Sequence, residues 1–92
     1  MVIKNIYQKS IPCMNKTIKY EMLETFYDDC ICYGIQIKEF YKDNYFEELI
    51  EDISSNKAFV NNLITYLYEN AVDTVHFKDI IEDYIVASDF FR

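Results

Sequence analysis

Ninety-two residues, 51% apolar and 17% aromatic with nine Tyr and seven Phe, suffice for one packed domain and exclude a disordered chain. The net charge of −7 disfavours direct binding to nucleic acid or to an anionic membrane, because phosphate contacts need Lys and Arg. Three cysteines, Cys13, Cys30 and Cys32, fit reduced thiols in a cytoplasm better than a secreted disulfide framework, and no apolar run approaches the roughly 18–20 residues that span a bilayer.

The chain reads as a single domain over residues 1–92. Residues 1–16 form an arm or edge strand, 17–53 an antiparallel sheet and 54–88 a two-helix hairpin. With one Gly and one Pro, at Gly34 and Pro12, most of it is regular structure. Residues 2–11 alternate loosely through Val2, Ile3, Ile6 and Ile11. Lys4, Asn5, Gln8 and Lys9 interrupt any signal-peptide core. Along 17–27, Ile18, Tyr20, Met22 and Phe26 share one face, broken by Glu24, with Lys19, Glu21 and Thr25 opposite. Asp28-Asp29 makes a two-residue turn. Along 30–41, Ile31, Tyr33, Ile35 and Ile37 face Cys30, Cys32, Gln36 and Lys38, and Gly34 marks a bulge or a close backbone approach. Residues 42–44 turn the chain again, and 45–53 read as a strand, although this stretch also suits a helix.

The helices are plainer. Ser54-Ser55 supply an N-cap, and Phe59 or Val60, Leu63, Ile64 and Leu67 recur at helical spacing up to a stop at Asn70. Asp73 caps a second helix from about Thr74 to Ala87, with Phe77, Ile80, Ile81, Tyr84, Ile85 and Ser88 along its stripe. Residues 89–92 form a tail with Phe90 and Phe91. The predicted fold is α+β. A three-stranded antiparallel sheet, with a fourth short N-terminal strand as an option, is followed by two helices on one face, in the order β-β-β-α-α.

"YGIQI", "EDISSNK" and "VDTVHFKDIIEDYI" resemble a family of small uncharacterised proteins of Clostridia and their mobile elements, a domain of unknown function. The resemblance covers most of residues 17–86. It implies no activity and no catalytic residue. This chain has Thr74 where that family tends to have Pro, which removes some rigidity at a helix start.

His76, Asp79 and Asp83 fall at i, i+3 and i+7, and an imidazole with two carboxylates can bind a divalent metal. One histidine in the whole chain argues instead for a capping role back to the 70–73 loop. Cys30 and Cys32 with Cys13 and His76 make a poor zinc set, since an i, i+2 pair on a strand is not a ready chelate. No nucleophile elbow and no Gly-rich phosphate loop is present. The expectation is therefore a protein without catalytic residues, metal or cofactor.

Charge and aromatics carry the functional expectation. Residues 1–20 hold Lys4, Lys9, Lys16 and Lys19 and no acid, so all sixteen acids lie in 21–92. Tyr20, Phe26, Tyr33, Phe59, Phe77 and Tyr84 are the expected core aromatics. Tyr41, Tyr45, Phe46, Tyr66, Tyr68, Phe90 and Phe91 are too many to bury, and such residues anchor interfaces. The sequence thus predicts a cytoplasmic, acidic protein–protein interaction module that forms a homodimer. Its partner is a basic nucleic-acid-handling protein, met through Glu47, Glu48, Glu51, Asp52, Asp79, Glu82, Asp83, Tyr41 and Tyr45. A composition rich in Ile, Lys, Asn and Tyr points to an AT-rich bacterial or phage genome, hence to a phage or mobile-element inhibitor of anti-CRISPR type. The alternatives are a small-ligand-binding protein and a housekeeping regulatory homodimer.

Overall fold

The computed structural model describes residues 2–90. Four strands come first: β1 Val2–Ile11, β2 Lys16–Tyr27, β3 Cys30–Tyr41 and β4 Asn44–Ser54. Two helices follow, α1 Lys57–Glu69 and α2 Phe77–Phe90. The strands form one antiparallel sheet in the order β1-β2-β3-β4. The sheet therefore has four strands and not three. The N-terminal segment is a ten-residue strand, paired with β2 from Val2–Glu24 to Ile11–Lys16. A bulge between Ile3 and Asn5 shifts its register, so Ile3 and Ile6 fall on the same face although their spacing is odd.

Both predicted hairpin turns form. Asp28-Asp29 links the Tyr27–Cys30 pair, and Lys42-Asp43 links Tyr41–Asn44, with positive φ of 49° at Asp28 and 54° at Lys42. Between β1 and β2 the chain makes a 3-10 turn, Pro12–Met14, ended by Asn15 in the left-handed region.

The helices cover one face of the sheet. Ile18, Tyr20 and Met22 of β2 and Tyr33, Ile35 and Ile37 of β3 are buried against Val60, Leu63, Ile64 and Leu67 of α1 and Phe77 and Ile81 of α2. Each such side chain contributes about 1.5–3 kcal/mol by leaving water. α1 runs beside β1. The Asn5 amide donates to Asn61 Oδ1 at 2.7 Å, Lys9 reaches the carbonyls of Tyr68 and Glu69 at 3.5 Å, and Tyr7 packs on Tyr68. α2 lies towards β4, where Lys78 pairs with Glu48 at 3.3 Å. The buried Tyr20 hydroxyl donates to the Val72 carbonyl at 2.8 Å and ties the interhelical loop to the sheet.

Four further expectations need correction. The N-cap of α1 is Asn56, whose side chain accepts from the Phe59 amide at 3.2 Å; Ser54 is still in β4, its hydroxyl accepting from the Asn56 amide. α2 starts at Phe77, three residues after Thr74, because residues 74–76 are spent on a turn closed by Asp73. Phe26 is 58% exposed: its row, shared with the exposed Ile31, lies at a hairpin end that the helices leave uncovered. The C-terminal helix runs through Phe90 and does not give way to a tail at residue 89. The predicted exposure of Phe90 and Phe91 lies outside the described side chains.

Candidate functional site

Two polar arrangements stand out, one under the start of α2 and one along the β4 edge. The first surrounds the start of α2. Asp73 Oδ1 accepts from the His76 backbone amide at 3.1 Å and lies 2.8 Å from His76 Nδ1. The His76 carbonyl then accepts the first α2 bond, from the Ile80 amide at 3.0 Å. Partial burial pushes the Asp73 carboxyl up, but the bonds from the His76 ring and amide, with the charges of His76 and Lys16, outweigh it and hold the carboxyl below its ordinary 3.8. Beneath this turn the buried Glu39 accepts from the Thr74 amide at 3.1 Å, and Lys16 lies 3.9 Å from both Glu39 and Asp73. Every member of the group thus fixes a turn. His76 precedes α2 and does not share its face with Asp79 and Asp83. Among the described residues no three His, Cys, Asp or Glu side chains come together in a group able to hold a metal.

Cys13 lies far from the other two cysteines. Cys13 is in the turn before β2, whereas Cys30 and Cys32 begin β3 beside the other end of β2, roughly 35 Å away along a twelve-residue strand. All three are free thiols.

The second arrangement is an acidic flank. β4 is an edge strand, so its outer backbone groups have no strand beside them. It carries Glu47, Glu48, Glu51 and Asp52 and no cation. α2 adds Asp79, Glu82 and Asp83, all exposed. The Lys78–Glu48 pair joins the two elements, and Glu82, one turn beyond Lys78, continues the same stripe. A depression of about 250 Å³ between Phe46, Glu47, Glu48, Thr74 and Val75 marks the seam. Asp83 turns elsewhere, into a shallow groove between the helices with Tyr66, Ile80 and Tyr84.

The remaining predicted site residues divide between faces. Tyr41 is half-buried at the lysine-rich end, with Lys16 and Lys42 over its ring at 5.8 and 5.3 Å. Tyr45 and Glu47 are on the face away from the helices. There Gln36 donates to Glu47 at 2.9 Å, and the Tyr45 hydroxyl donates to the other Glu47 oxygen. That bond, with some burial and the charges of Glu47 and Glu21, raises the Tyr45 phenol to about 12. Glu51 and Asp52 sit in the irregular end of β4, where their charges bear on Tyr27.

Three acids that alternation alone assigns to surface or interruption are buried: Glu21, Glu24 and Glu39. Glu21 is the most unusual. It is 1% exposed at the middle of the sheet face that no helix covers. Its Oε1 lies 3.3 Å from both Lys19 and Lys38, and its buried Oε2 finds no hydrogen-bond partner among the described residues. The flanking lysines, one on its own strand and one across the ladder, were the available signal for a buried charge.

No described helix is long and apolar enough to cross a membrane. The chain belongs to the family of unknown function DUF6514, whose model matches residues 1–87. No curated protein and no solved structure matches the chain.

Proposed function

We propose that the chain is a non-enzymatic interaction module that docks on a basic protein surface through the β4 edge and the outer stripe of α2. One observation carries this reading: an edge strand with four acids and no cation lies beside a helix whose exposed Asp79 and Glu82 add two more. The β1 strand opposite carries no acid, so the acids are concentrated at one edge of the sheet. A basic groove built for phosphate attracts such a flank at long range, and open backbone groups on β4 can then accept an extended partner segment.

The sharper form of the proposal is an inhibitor from a phage or mobile element that occupies the nucleic-acid site of its partner, in the anti-CRISPR manner. Small size, net acidity and a composition suited to an AT-rich genome support it. The test is capture of partners by tagged protein from a low-GC Gram-positive lysate at low and high salt, repeated with Glu82→Lys/Asp83→Lys. A nucleic-acid-handling protein held at low salt, released at high salt and lost on charge reversal is the expected result. Capture that ignores both salt and reversal overturns the acidic flank as the binding surface.

A further inference from the structure

Among the described residues no element covers the sheet face opposite the helices, and this face differs from the rest of the molecule. The registers place Ile6, Glu21, Gln36 and Leu49 in one row across all four strands. Lys19, Lys38 and Glu47 form the adjacent row. Phe40 and Tyr45 lie beyond, their rings 4.9 Å apart. Ile6 is 56% exposed and Leu49 37% exposed, and Ile3, Tyr27, Phe40 and Tyr45 are exposed on this face as well. An exposed apolar patch of that extent marks a contact surface.

We infer that the occupant is a second copy of this chain, stacked sheet to sheet about a two-fold axis near Glu21. Three observations select it. First, the central band is charge-balanced, with Lys19 and Lys38 against Glu21 and Glu47, in a chain of net charge −7. Two copies can meet there without the like-charge opposition they face elsewhere. Pairing β4 with β4 would set four acids against four, and pairing β1 with β1 would oppose lysines. Second, the charges of the band are satisfied within one copy, Glu21 by Lys19 and Lys38 and Glu47 by Gln36 and Tyr45, so a second copy can cover the surrounding apolar residues without stranding a charge. Third, the area suffices. Four strands about 4.8 Å apart and roughly eleven residues long make a face of about 700 Å², close to the ~800 Å² per partner of a stable interface.

Sedimentation of the full chain from about 1 μM to 1 mM tests this, with a concentration-dependent dimer expected to dissociate in the micromolar range. Ile6→Asp and Leu49→Asp, both at exposed positions, should each weaken the dimer at least tenfold while the circular dichroism spectrum stays unchanged. Ile6→Lys should do the same, which shows that lost apolar contact and not the sign of the charge is responsible. Val86→Asp, exposed on α2, should leave the dimer intact. A monomer at every concentration overturns the inference and leaves the face to another protein. A dimer indifferent to the Ile6 and Leu49 changes also overturns it and puts the contact on an edge or on the helices. Glu82→Lys/Asp83→Lys should not alter the dimer, so this inference and the acidic flank stand or fall separately.

Discussion

A methyl group on Gly34 would sit 2.4 Å from the Ile50 carbonyl oxygen and 2.9 Å from Glu51 Cα. Both are backbone atoms, so no side chain can move aside. The close approach arises because β3 advances two residues, from Tyr33 to Ile35, while β4 spans four, from Ser54 to Ile50. The extra β4 residues crowd over Gly34, and Asp52 among them takes a positive φ of 54°. Gly34→Ala should cost about 2–3 kcal/mol, measured as a lower urea midpoint at an unchanged slope. A cost under about 0.5 kcal/mol would mean that the bulge yields freely. Asp73 gives a pH signature at the same scale. Its carboxyl is held below 3.8 in the folded chain, so the unfolded chain takes up the proton first on acidification. The stabilisation is complete above 3.8 and fades as the pH falls from there through the lower folded value. Asp73→Asn should lower the urea midpoint at neutral pH, and the gap to the parent should narrow as the pH falls below 3.8. A gap that stays constant over that range would assign Asp73 no electrostatic role.

At the scale of elements, "SSN" before α1 offers three residues able to cap in a row, and sheet pairing decides among them. Ser54 pairs with Tyr33 and cannot leave the strand, and the Asn56 side chain reaches the Phe59 amide. Asn56→Ala should therefore cost about 1 kcal/mol in thermal or urea unfolding, while Ser55→Ala should change stability by less than about 0.5 kcal/mol. Equal losses at both positions would mean that the cap shifts. The same competition explains what could be read in advance. β2, β3 and both helices were legible because Ile18-Tyr20-Met22, Ile35-Ile37 and Leu63-Ile64-Leu67 keep an unbroken period. β1 was legible only as an arm or a short edge strand because its bulge puts Ile3 and Ile6 on one face and Tyr7 and Ile11 on the other, which no strict alternation describes. The buried carboxylates were less legible still. Glu39 is covered by the turn before α2, and Glu21 sits between Lys19 of its own strand and Lys38 of the next; both placements follow from register and packing, which a single sequence does not fix. The acidic flank was half legible. The residues of β4 and α2 could be named, but not the Lys78–Glu48 contact that brings the two elements together or the turn of Asp83 into the groove.

For the whole molecule, the question is whether its charges hold it together or push it apart. The inner pairs, Glu21 with Lys19 and Lys38 and Glu39 with Lys16, are at least partly shielded from solvent and are screened little by salt. The exposed Lys78–Glu48 pair is worth at most about 1 kcal/mol. Against these stands a net charge of −7, with the surplus crowded onto β4 and α2 within one or two Debye lengths at ordinary ionic strength. Repulsion among exposed acids is the component that salt removes most easily. Raising NaCl from about 10 mM to 300 mM should therefore raise Tm by about 2–5 °C. Glu82→Lys/Asp83→Lys adds two units of charge at each position and brings the chain from −7 to −3. It should start from a higher Tm at low salt and gain less from added salt. A Tm that falls with salt in the parent chain would reverse the balance, making the exposed pairs and not the repulsion the dominant surface interaction. The variant would then lose stability where it is expected to gain it.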